Sequence, residues 1–118
     1  MHSAFTTKTL SFLRSLKRNN SREWFRARKD EYELLVRAPM VAVIERLAVD
    51  FGRFAPELDA SPNRCIYRIY RDTRFSEDKT PLKTHIAASF RWRGLPKHRG
   101  AGLYFEVTPG WEIGRAHV

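Results

Sequence analysis

Apolar residues recur at helical spacing through the first half of the chain and at a spacing of two through the second. Leu10, Leu13 and Leu16, with Phe12 facing Leu16 one turn on, form a stripe that predicts an amphipathic helix. Thr6 stands where a hydroxyl can cap the free N–H groups of that helix, with Phe5 before it as a staple for Leu10. The helix is expected to end near Asn19-Asn20. Asn20 precedes Glu23 at capping-box spacing, and Trp24, Phe25, Arg28, Tyr32 and Leu35 continue as a second helix, with Trp24-Phe25 read as core. Pro39 restarts the chain as the first turn of a third helix, whose buried face is Val43, Ile44, Leu47, Ala48 and Phe51 and whose stop is Gly52.

Beyond a proline-containing linker at 54–63 the period becomes two. Ile66, Arg68 and Tyr70 alternate with Cys65, Tyr67 and Ile69; Ile86, Ala88, Phe90 and Trp92 alternate with His85, Ala87, Ser89 and Arg91; Leu103, Phe105 and Val107 alternate with Tyr104, Glu106 and Thr108. Helices over 6–52 followed by strands over 64–108 predict an α+β fold, a three-helix segment leading into an antiparallel sheet. Residues 1–111 read as the N-terminal part of a single domain, truncated after a third strand whose far edge needs a partner. The tail 112–118 resembles a translated sequencing adapter, so Arg115 and His117 are set aside; a short fourth strand is the alternative.

Composition narrows the function classes. With 118 residues and 42% hydrophobic content, the chain has material for one core. No apolar run approaches the roughly 18 to 20 residues of a membrane-spanning helix, so no membrane role is expected and a cytoplasmic setting is. Cys65 is the single cysteine, which excludes an internal disulfide and any multi-cysteine zinc site; it reads as a small buried hydrophobe, and no metal or cofactor is expected. The net charge of +9 is unevenly spread: residues 64–99 hold 10 Lys/Arg against 3 Asp/Glu. That concentration points to an anionic partner.

Candidate chemistry gathers in the run Arg68-Ile-Tyr-Arg71-Asp72-Thr-Arg74-Phe75-Ser-Glu-Asp78-Lys79-Thr-Pro-Leu-Lys83-Thr-His85. Three arginines this close repel unless carboxylates or a ligand balance them, and the guanidinium fork matches carboxylate or phosphate oxygens. Arg68, Arg71, Arg74 and Lys79 are the anion-binding candidates. Asp72 and Asp78 are the internal counter-charges, and His85 with Asp72 the only candidates for proton transfer.

This run resembles the signature of a bacterial family, domain of unknown function 2461, and Asn19-Asn20-Ser-Arg-Glu-Trp-Phe25 is similar to that family's N-terminal motif. The resemblance spans Phe5 to Pro109. It implies kinship without an activity, and a family length about twice this one, so that a C-terminal half is expected beyond this chain. Leu82 stands where the family usually has Tyr. Three readings follow: a pocket for a phosphate- or carboxylate-bearing small molecule, catalytic or not; a nucleic-acid surface; or a salt-bridged loop with a purely structural role. The nucleic-acid surface would use Tyr67, Tyr70, Phe75, Phe90 and Trp92 for stacking and the basic stretch Arg93, Lys97 and Arg99 for charge. An uncharacterised enzyme and an uncharacterised binding protein both fit, and the oligomeric state is open.

Overall fold

The computed structural model describes residues 5–92, 102–109 and 116–117. Helix α1 spans Thr7–Arg18, with Thr6 at its N-cap position and Thr9, Phe12, Leu13 and Leu16 on its buried face. Thr9 is wholly buried, and its hydroxyl accepts from the Thr6 N–H at 3.1 Å and donates to the Leu35 carbonyl at 2.6 Å. The polar group inside the α1 face is thereby satisfied and ties α1 to the next helical segment.

The second expected helix is broken. Helix α2 (Arg22–Ala27) stops at Arg28, α3 (Lys29–Tyr32) makes a single turn, and a π-helical turn over Glu33–Arg37 carries the chain without interruption into α4 (Ala38–Phe54). Two start signals and one stop signal differ from expectation. Ser21, not Asn20, caps α2, its Oγ accepting from the Trp24 N–H at 3.1 Å, because the Asn20 side chain is committed elsewhere. Pro39 sits in the first turn of α4, but that helix continues the π-helical turn without a break, so the expected restart is not seen. Gly52 is not the stop: α4 runs on to Phe54, whose ring meets Phe51 edge-on at 5.7 Å, and Ala55 closes the helix with its N–H on the Phe51 carbonyl.

Four strands among the described residues lie in the order β1-β2-β3-β4, all antiparallel: β1 Leu58–Asp59, β2 Ile86–Trp92, β3 Leu103–Val107 and β4 Ala116–His117. The α+β order of helices and then antiparallel strands is as predicted. Strands β2 and β3 follow the alternation of the sequence, with Ile86 opposite Val107 and Phe90 opposite Leu103. Strand β4 lies within the segment 112–118 set aside above and pairs Ala116 with Phe105.

The expected strand over 64–70 is corrected. Pro62 opens a helical turn, α5 (Pro62–Cys65), inside an edge strand that begins at β1 and resumes at Ile66, which bridges to Ala88. Asp59 holds the excursion. One carboxylate oxygen accepts from the Ser61 N–H at 3.0 Å, the other pairs with Arg64 Nε at 3.3 Å, and the Asp59 carbonyl accepts the Cys65 thiol at 3.1 Å. The chain then leaves β2 and pairs Tyr70 with Leu82.

Helices cover one face of the sheet. Leu13, Leu16, Val36, Met40 and Ile44 are fully buried with Ile86, Ala88, Phe90 and Val107, and Phe51 meets Phe90 edge-on at 5.4 Å. Phe5 stacks on Phe105 at 6.0 Å, so the aromatic staple reaches the sheet. Each buried aliphatic or aromatic side chain contributes roughly 1.5–3 kcal/mol of transfer free energy, and this face is where that term accumulates.

Candidate functional site

Two sequence segments far apart in the chain meet at Asn20. Its Nδ2 donates to the Leu82 carbonyl at 2.8 Å and its Oδ1 accepts from the Leu82 N–H at 2.9 Å, so one amide satisfies both backbone groups of a buried residue. The clamp brings α2 against the 66–83 segment. Arg22, Asn63, Arg64, Tyr67, Arg68, Tyr70, Arg71, Asp72, Thr73, Arg74 and Lys83, with Ile66, then line an open groove of about 880 Å³.

The charges of this groove are partly spent internally. Arg74 forks onto Asp72, with Nε and Nη2 at 3.1 and 3.0 Å from the two carboxylate oxygens. That contact, with the Arg74 N–H on the same carboxylate, holds Asp72 at a pKa of about 2 and pushes the guanidinium up. Arg71 reaches the other way: its Nη1 donates to the Thr80 carbonyl at 2.9 Å and the Thr80 hydroxyl at 2.6 Å and pairs with Asp78 at 3.3 Å. Asp78 in turn accepts from the Thr80 N–H and hydroxyl, which holds its carboxyl below the ordinary range. Lys79 Nζ donates to the Thr73 carbonyl at 2.6 Å.

Of the anion-binding candidates, then, Arg71 and Lys79 lace the 72–80 loop together and Arg74 is matched by Asp72. Arg68 is exposed, lines the groove, and makes no ion pair or hydrogen bond among the described residues. Six cationic side chains line the groove, and among the described residues Arg64, Arg71 and Arg74 pair with Asp59, Asp78 and Asp72. Arg22 and Lys83 complete the set. Sequence reading passed over both, although Arg22 lies inside the Asn19–Phe25 motif and Lys83 inside the arginine run; the fold, not a local signal, brings them to this groove.

His85 does not join Asp72. It is half-buried just before β2, where burial pushes its pKa below the ordinary value, Glu106 opposes that shift and Lys83 adds to it. The folded state therefore holds the imidazole neutral, whereas the unfolded chain takes up a proton near pH 6.5. Stability from this group is complete above that pH and should decline as pH falls through about 6.5 toward the folded value. Urea midpoints compared between pH 7.5 and 5 should fall less for His85→Gln than for the parent chain; parallel slopes would contradict the assignment.

Cys65 is buried, and burial followed by the Asp59 charge pushes its thiol up, which fits the small buried hydrophobe expected there. Phe90 points into the core and is not available for stacking, whereas Phe75 is 94% exposed with the Arg74 guanidinium 5.5 Å from its ring centre. Tyr67 lies beside Lys83 and Arg91, at 5.5 and 5.9 Å. Arg93, Lys97, Arg99 and Arg115 lie outside the described residues. Among the described residues no cluster of His, Cys, Asp and Glu is arranged to hold a metal ion, and no helix is long and apolar enough to cross a membrane.

Residues 8–116 match the model of a family described as conserved hypothetical protein, DUF2461. The match covers nearly the whole chain and reaches into the segment 112–118. No curated protein and no solved structure matches the chain.

Proposed function

The chain belongs to the DUF2461 family, and from that premise we propose that it binds a small molecule bearing a phosphate or carboxylate group in the groove between α2 and the 63–74 segment. The observation that carries the reading is Arg68: among the described residues it lines the groove beside Arg64, Arg71 and Arg74, which take Asp59, Asp78 and Asp72, and itself makes no ion pair or hydrogen bond. A planar guanidinium that makes no hydrogen bond or ion pair among the described residues keeps the fork that an oxyanion engages in bidentate fashion. Arg22 and Lys83 add positive potential from either side. Arg71 positions the loop, since its Nη1 donates to Thr80 and pairs with Asp78.

Inorganic phosphate and simple phosphate esters should raise the melting temperature of the chain, because a ligand that binds only the folded state at a hundred times its Kd contributes about 2.7 kcal/mol. Arg68→Ala, at an exposed site that the core does not use, should remove most of that rise. Arg14→Ala, on the exposed face of α1, should leave it intact. A parent chain whose melting point no phosphate or carboxylate moves would overturn the proposal and leave the run as a structural clasp.

A nucleic-acid reading draws on one observation, the exposed Phe75 beside Arg74. It predicts binding of single-stranded oligonucleotide that weakens steeply with salt and is lost in Phe75→Ala. Absence of binding at low salt removes it.

A further inference from the structure

The cationic groove does not end at Arg68. A second cavity of about 370 Å³ opens from it along the same extended segment, and the two share Asn63, Ile66, Tyr67, Arg68 and Tyr70. The character of the walls changes across those shared residues. Beyond them lie Phe25, Tyr32 and Ile69, three residues of the buried core, on the side where α3 gives way to the π-helical turn. Phe25 sits 5.0 Å from the Tyr32 ring and 5.8 Å from that of Tyr70, both nearly edge-on, so the cavity is bordered by an array of three rings. Its volume falls in the range of roughly 300–1,000 Å³ found for small-molecule sites.

Tyr32 gives this compartment a polar mark. The residue is only 6% exposed, and its hydroxyl, which makes no hydrogen bond among the described residues, is not among the buried polar atoms and so stays accessible at the cavity it lines. Burial also pushes its pKa up to about 12, so the group stays a donor at any physiological pH. The π-helical turn beside it supplies Glu33 and Arg37 to the same wall, and Arg37 Nη2 donates to Asn63 Oδ1 at 3.3 Å across the cavity mouth. Wide helical turns of this kind recur at binding sites because they displace side chains from the regular ladder.

We infer that the ligand has two parts, an oxyanion seated on Arg68 in the cationic groove and an aromatic body carrying a hydrogen-bond acceptor, which enters the ring-lined cavity and meets the Tyr32 hydroxyl. This rests on the anion-binding reading above and names the class of molecule. Arg68 belongs to both cavities, so an anion held there leaves the adjoining body within reach of Tyr70 and Tyr32. An edge-to-face array favours a flat ring over an alkyl chain of equal area.

The test is a calorimetric titration of the full chain with inorganic phosphate, ethyl phosphate and 4-nitrophenyl phosphate, whose nitro oxygens are the acceptors. The nitrophenyl ester should bind about 10-fold more tightly than the ethyl ester, the gain expected from burying one ring among others. Tyr32→Phe keeps the packing and removes one donor. It should weaken the nitrophenyl ester about 5-fold, the size of one hydrogen bond, and leave inorganic phosphate unchanged. Equal affinity for the two esters, or a nitrophenyl preference that Tyr32→Phe does not touch, overturns the inference while the anion-binding groove stands. Failure of all three phosphates to bind overturns both.

Discussion

Asn20→Ala should destabilise the chain by about 2–4 kcal/mol, a large share of the stability of a domain this size. The substitution removes no apolar area. It leaves the N–H and the carbonyl of Leu82 without their partners at 2.9 and 2.8 Å, in a residue that is only 1% exposed. Each unsatisfied backbone group costs about 1–3 kcal/mol, and water reaching the site would lower the sum. Because Asn20 and Leu82 are 62 residues apart, the loss also loosens α2 from the segment that carries Arg68. A urea denaturation series would show this as a lowered midpoint with an unchanged slope. A change below about 0.5 kcal/mol, the level of an ordinary surface substitution, would mean that the clamp is dispensable.

Phe25→Ala should cost about 3–5 kcal/mol, the range for deleting a buried aromatic side chain. Phe25 is 1% exposed and is the ring on which Tyr32 and Tyr70 both converge, so its removal opens a void at the junction of α2, α3 and the extended segment. Phe25→Leu retains most of the volume and should cost clearly less. The two variants, compared by thermal and urea unfolding, separate packing from side-effects on the helix, since leucine and alanine both favour helix. Near-equal losses, or a loss under about 1.5 kcal/mol for alanine, would contradict the packing described here.

Much of this architecture is legible in the residues, and where it is not the reasons are physical. The stripe Thr9, Phe12, Leu13 and Leu16 and the alternation through β2 and β3 follow from one-sided burial, which imposes its period on any helix or strand that lies on a core. The alternation Cys65 to Tyr70 misleads at its start because Ser61-Pro62 is a helix-start signal, and a single turn of α5 satisfies it before the chain resumes the edge of β2. Gly52 permits a helix stop without requiring one. Asn20 looks like a cap in sequence, and only its distant partner Leu82 shows why Ser21 takes that place.

The site divides in the same way. An excess of Lys and Arg over carboxylates in the 68–85 run, five against three, is visible from composition, but which arginine stays without a carboxylate depends on how the 72–80 loop closes. Arg74 takes Asp72 two residues away, and Arg71 takes Asp78 across the loop. Arg68 is what remains. The second cavity, bordered by Phe25, Tyr32 and Tyr70, could not be read from helical spacing alone, because the same spacing describes an ordinary core face.

An oxyanion site at Arg68 and its neighbours is tested by following the Arg side-chain Nε–H resonances during a titration with inorganic phosphate. Resonances of Arg68 and Arg22 should move together and saturate at one common Kd, with those of Arg14 and Arg18 on the far exposed face of α1 stationary. Uniform, non-saturating shifts across all arginines, or no shift at Arg68, would show that the charge of the groove is not a binding site.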